Sequence, residues 1–173
     1  FAGTRLAIYI CPSDPQGDEL VACTGDGHYP GTSSEDEDRG RTNMAGVTDS
    51  RMQTCPDSYV NYLRLYVADG MFGAVDCCHI RDVRDGTSST LMIGEVIGGG
   101  RGSHLGFYWL GNDLTSTACG INSGPSALPT PTPNYAYQGR GNGFASFHPG
   151  GCHFAFADGS VQFISENIDA ETL

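Results

Sequence analysis

The chain has 173 residues and a formal net charge of -11, and its nine basic residues are all arginine. That balance excludes the basic stripe that nucleic-acid binding needs and offers nothing to an anionic membrane surface. The length suits one domain covering 1–173, and 25 Gly and 9 Pro against 17% charged residues predict a turn-dense β protein rather than a helical bundle.

Arg5 to Ile10 alternates Leu6, Ile8 and Ile10 with Ala7 and Tyr9, which predicts a strand ending at Cys11-Pro12. Residues 12–42 are polar, Gly-rich and acidic, with Ser33-Ser34-Glu35-Asp36-Glu37-Asp38 at their centre, and are expected to form an exposed loop. Tyr59 to Val67 favours a strand by its aromatic and β-branched content. Thr90 to Ile97 and Leu105 to Leu110 read as two more strands, joined across Gly98-Gly99-Gly100-Arg101-Gly102. Residues 119–143 are rich in Gly, Pro, Ser, Thr and Asn, with an extended Pro129-Thr130-Pro131-Thr132-Pro133 segment that is a candidate for O-glycans. No Asn-x-Ser/Thr sequon is present.

The C-terminal stretch has the strongest local signal. Two alternating apolar runs flank Asp158-Gly159, which predicts a hairpin with a two-residue loop. That register pairs Phe156 with Val161 and Phe154 with Phe163, placing all four on one face. Asp26-Gly27, Asp69-Gly70, Asp85-Gly86 and Asp158-Gly159 all read as turn chemistry, since Asp bonds its own backbone and Gly supplies positive φ.

Seven cysteines, Cys11, Cys23, Cys55, Cys77, Cys78, Cys119 and Cys152, include no C-x-x-C and no zinc-finger spacing, which argues against a structural zinc site. Disulfides in an oxidising compartment are the better reading, with the vicinal Cys77 and Cys78 reaching different partners. His148, His153 and Asp158 invite a metal or catalytic role. A strand rise of about 3.3 Å per residue sets His153 and Asp158 too far apart to share an ion, and His148, before Pro149-Gly150-Gly151, is expected to fix that bend through backbone hydrogen bonds. Catalysis finds little support: there is no G-x-S-x-G elbow, no P-loop lysine and no cysteine with an evident histidine partner.

His148, nine intervening residues and then Asp158-Gly159 close a series of blocks. Before them come Cys11-Pro12-Ser13-Asp14-Pro15, Asn43-Met44-Ala45-Gly46-Val47, Asp69-Gly70-Met71-Phe72-Gly73, and the stretch from Asp85 to Glu95. Together they resemble a large family of secreted pilin-like proteins, abundant in planctomycete-type bacteria, that carry a C-terminal H-x9-DG motif. The resemblance implies an α+β class, mostly β in this chain: the antiparallel sheet of a pilin-like head with long Gly/Pro-rich loops, braced by disulfides. It implies a filament or pseudopilus subunit rather than an enzyme, located outside the cell or on its surface, with copies of itself or other pilin-like subunits as partners. Such subunits carry a long apolar N-terminal helix. No run here approaches the roughly 20 apolar residues of a membrane span, so the chain is expected to be the head of a longer precursor or a trimmed mature form. The resemblance further implies that Cys11 pairs with a cysteine just after that helix. It also raises calcium as an ion to be bound, with Asp36 and Asp38 as candidates, although their run lacks D-x-D-x-D-G spacing. The contrasting reading is a monomeric secreted module that binds carbohydrate or calcium in its loops.

Overall fold

A computed structural model describes residues 3–15, 21–23, 37–50, 69–72, 78–97, 114–117, 120–122, 144–169 and 172–173. Their centre is a five-stranded sheet built from β3 (Met44–Asp49), β4 (Leu91–Glu95), β5 (Leu114–Ser116), β6 (Gly151–Phe156) and β7 (Val161–Ser165), in the order β5-β3-β4-β6-β7. A separate ribbon pairs β1 (Val21–Cys23) with β2 (Glu37–Arg39). The sheet is mixed rather than purely antiparallel, because β5 runs parallel to β3 while the other pairings are antiparallel. Two reversals of direction, through β4, bring β5 back along β3's free edge in β3's own sense. Among the described residues the only helical pieces are short 3-10 turns, such as Ala7–Tyr9 and Ile80–Asp82.

One face of the sheet carries the core. Phe154 and Phe144 are fully buried and meet edge to face with centroids 4.8 Å apart. Ala45, Val47, Leu91, Cys152 and Phe156 surround them, and Ile164, Ile168 and Leu173 pack against the cluster. Burying one such aromatic contributes roughly 1.5–3 kcal/mol by area alone. Gly94 makes the close approach possible: a Cβ there would lie 2.4 Å from Phe144 and 2.5 Å from Phe154.

The terminal hairpin forms where expected but in another register. Ala155 pairs with Val161, Phe154 with Gln162 and His153 with Phe163. Phe156 closes a three-residue loop: its N–H donates to the Ser160 carbonyl at 2.9 Å, and its carbonyl accepts from Gly159 N–H at 2.9 Å. Gly159 sits at φ +85°, the left-handed residue of a type I turn with a G1 bulge. The longer loop is held from outside, because Ala157 and Asp158 donate their N–H groups to the Thr90 and Thr87 carbonyls. A slip of one residue moves every β7 side chain to the other face. Phe154 and Phe156 therefore face the core, whereas Val161 (64% exposed) and Phe163 (48%) lie on the opposite side.

Two further expectations change. Arg5 to Ile10 is no strand; Ala7–Tyr9 is a 3-10 turn and Ile8 is exposed. Residues 12–42 are not wholly an exposed loop, since Asp14, Arg41 and Thr42 are buried and Glu37–Arg39 form β2. No disulfide joins Cys11, Cys78 or Cys152 among the described residues. The side chains of Cys23, Cys55, Cys77 and Cys119, with Asp26, Asp36, Tyr59 to Val67, Leu105 to Leu110 and the Pro-Thr run, lie outside what is described. Thr90 to Ile97 holds as β4, and Gly86 takes the positive φ expected of an Asp-Gly turn.

The N-terminal segment is tied to the sheet by Asn43. Its Nδ2 donates to Asp14 Oδ2 (2.7 Å) and to the Val96 carbonyl (3.1 Å), while its Oδ1 accepts from Cys11 N–H at 2.9 Å. Its backbone N–H donates to the Tyr9 carbonyl and its carbonyl accepts from Val96 N–H. Arg41 Nη1 stands 3.5 Å from the same Asp14 oxygen, with both side chains 1% exposed. Buried polar groups left without partners cost about 1–3 kcal/mol each. Asn43→Ala should therefore lower stability by about 2–4 kcal/mol, read as a fall in the urea midpoint at unchanged m-value. Asn43→Asp should be no better, since it places a second carboxylate against Asp14.

Candidate functional site

β6 lies between two bends, and the spacing from His148 to Asp158 is that strand's span. Asp158 lies in the turn beyond its C-terminal end. There its carboxylate accepts the Ser160 N–H at 2.8 Å, and interactions with the side chain and then the backbone of Ser160 hold it below the usual carboxylate range. His148 lies before the N-terminal end, with its N–H donating to Ser146 Oγ at 3.1 Å. Ser146 in turn donates to the Gly151 carbonyl at 2.6 Å and, through its backbone N–H, to Asn122 Oδ1 at 2.9 Å.

The His148 ring does not serve the backbone of that bend through Nε2. This nitrogen stands 3.2 Å from Glu95 Oε1 and 3.4 Å from Cys11 Sγ. Glu95 closes β4 on the face away from the core, in line with Met44, His153 and Phe163 across four strands. The other carboxylate oxygen, Oε2, accepts His153 N–H at 2.7 Å and lies 3.2 Å from His153 Nδ1. The two histidine rings meet edge to face at 4.9 Å, and His153 meets Phe163 at 5.0 Å. Glu95 and His148 keep 16% and 25% of their side-chain surface exposed, so the cluster is shielded but reachable.

Cys11 thus has a histidine partner, contrary to the sequence expectation. The arrangement is not that of a nucleophile triad. There the base uses one ring nitrogen for the nucleophile and the other for its carboxylate; here Cys11 and Glu95 meet the same nitrogen. Cys11 Sγ, a Glu95 carboxylate oxygen and His148 Nε2 lie within 4.8 Å of one another, a donor set able to hold a metal ion. Asp158 is not part of it, and Glu37 and Asp38 of the acidic run contribute strand backbone to β2. Sequence reasoning singled out His148 and His153 but missed Glu95 as their common partner. The available signal was a lone carboxylate closing the apolar strand Leu91-Met92-Ile93-Gly94.

Cys152 is a different kind of thiol. It is fully buried in the core, and burial pushes it up to about 12, against an opposing hydrogen bond from Ser146.

The chain belongs to the DUF1559 family, described as a protein of unknown function, whose model matches residues 2–171. No curated protein and no solved structure matches it.

The two thiol environments can be separated by experiment. In the folded, reduced protein at pH 8, iodoacetamide should modify Cys78 and spare Cys152 until the chain is unfolded, as read by peptide mass mapping. A raised folded pKa gives a contribution that is complete below the unfolded thiol's value of 9.0 and is lost as pH rises toward about 12. Stability should therefore fall across that window, and less steeply in Cys152→Ala than in the parent.

Proposed function

We propose that the chain is the globular head of a pilin-like structural subunit, displayed outside the cell or on its surface and assembling with copies of itself or related subunits into a filament. The observation that carries this reading is the sheet's second face. Met44 and Phe163 end a row across β3, β4, β6 and β7, and Ile93, Ala155 and Val161 form the next row. Met44, Phe163 and Val161 are 40%, 48% and 64% exposed. An apolar row over β4, β6 and β7, flanked by Met44 and Phe163 and opposite a closed core, offers an amphipathic assembly helix a surface to pack on. The net charge of -11 suits a head that faces solvent and repels neighbouring fibres. A structural rather than catalytic role also fits a Cys11–His148–Glu95 cluster without relay geometry.

Electron microscopy of the native protein from its source cells tests the reading. Regular fibres whose repeat fits this head are expected, and dispersed single particles would overturn it. Val161→Asp should abolish fibres while shifting the thermal midpoint by only a few degrees, because that side chain is already 64% exposed and surface changes usually cost less than about 0.5 kcal/mol each.

A further inference from the structure

We propose that Cys11, Glu95 and His148 form a zinc site that clips the Cys-Pro-Ser-Asp segment to the sheet, with His153 as a positioning residue behind the carboxylate. The first argument is proton counting. His148 Nε2 faces both Cys11 Sγ and Glu95 Oε1, yet an imidazole nitrogen carries at most one hydrogen and an ionised carboxylate carries none. If Nε2 donates to Glu95, the sulfur is left beside an N–H already engaged. If the thiol donates to Nε2, the nitrogen turns a lone pair toward the carboxylate. At best one Nε2 hydrogen is shared between two acceptors, a weaker arrangement than two full hydrogen bonds. A cation that replaces the thiol proton satisfies all three at once.

Spacing and chemistry agree with that ion. Zinc bonds of about 2.3 Å to sulfur and 2.0–2.2 Å to nitrogen and oxygen, arranged tetrahedrally, set ligand atoms about 3.3–3.6 Å apart. The 3.4 Å and 3.2 Å contacts to His148 need to change by only a few tenths of an ångström, and the third edge, from Cys11 Sγ to the carboxylate, lies within 4.8 Å and closes toward about 3.5 Å on binding. A thiolate with an imidazole selects zinc over calcium or magnesium, which take oxygen. The carboxylate is already oriented: His153 holds Oε2 through its backbone N–H at 2.7 Å and its ring Nδ1 at 3.2 Å, the second contact being the one an alanine removes, and this leaves Oε1 toward His148. Such outer partners commonly set metal affinity by 10–100-fold. Partial exposure of Glu95 and His148 leaves the fourth position to water.

The separations explain why no spacing motif announces the site. His148 is 137 residues from Cys11 and 53 from Glu95, so the ion would join three distant parts of the fold. On binding, the Cys11 S–H bond gives way to a zinc–thiolate bond and the proton passes to solvent, with no change of oxidation state. A disulfide at Cys11 would preclude the site, which makes the two fates of this thiol mutually exclusive.

The test uses the full chain, reduced and stripped with chelator. Zinc at about 100-fold excess over its dissociation constant should raise the thermal midpoint by about 5–10 °C, and calcium at the same concentration should not. Cobalt should bind in a one-to-one ratio with a thiolate charge-transfer band. Cys11→Ser should abolish that band and His148→Gln should weaken binding at least tenfold, whereas Cys78→Ser should leave both unchanged. Replacing His153 with Ala should weaken zinc about tenfold while keeping the band, as expected of a residue that acts through Glu95. Circular dichroism of each metal-free variant establishes that it is folded. If Cys11→Ser does not fold, X-ray absorption of the zinc-loaded parent decides instead, with one sulfur and two or three nitrogen or oxygen ligands expected. A band that survives in folded Cys11→Ser, a sulfur count other than one, or no one-to-one uptake would overturn the proposal.

Discussion

Everything near the N-terminal end of the sheet depends on one buried amide. Asn43 uses both Nδ2 hydrogens and its Oδ1 on two different segments, the N-terminal turn and the chain leaving β4, and its backbone serves both again. The exchange of water for these partners is only worthwhile if all of them are present, because a half-satisfied buried network costs more than it contributes. That makes the Cys11–Asp14 turn, the start of β3 and the end of β4 a cooperative unit. Arg41 and Asp14, both taken out of solvent, add a charge pair that is tolerable only with such hydrogen bonding around it.

The same amide reaches the candidate site. Cys11 N–H is fixed by Asn43, and its sulfur then stands beside His148. From the other side, the Gly94 gap lets the Phe144 and Phe154 rings close on β4, and the next residue, Glu95, is thereby turned to the opposite face. The cluster is thus a by-product of two rigid neighbours, the polar hub and the aromatic core. Ligand groups held by packed strands and satisfied hydrogen bonds lose little freedom when an ion arrives, which favours binding.

A proposed filament role and a proposed metal clip concern the same face. Met44, Glu95, His153 and Phe163 form one row, with the apolar residues at its ends and the ligand chemistry between them. Whatever packs along Val161 and Phe163 lies next to His153, whose ring stands against Phe163. Each reading can fail without the other, since one concerns assembly and the other the ion affinity of a single chain.

Local patterning alone determined a good deal: the turn-rich β class, the β4 strand, the hairpin's existence and the turn role of Asp158-Gly159, because propensity, alternation and glycine φ act over a few residues. It did not determine the hairpin register. The Ala157 and Asp158 N–H groups find carbonyls on the chain leading into β4, and that outside contact selects a three-residue loop over a two-residue one. Nor could alternation reveal that Arg5 to Ile10 turns instead of extending, since Asn43 bonds the Tyr9 carbonyl from 34 residues away, the interval from Tyr9 to Asn43 in the chain. The meeting of Cys11, Glu95 and His148 was likewise decided only by tertiary structure. Metal and hydrogen-bond chemistry acts over about 3 Å in space, and no local pattern encodes a distance between residues that far apart along the chain.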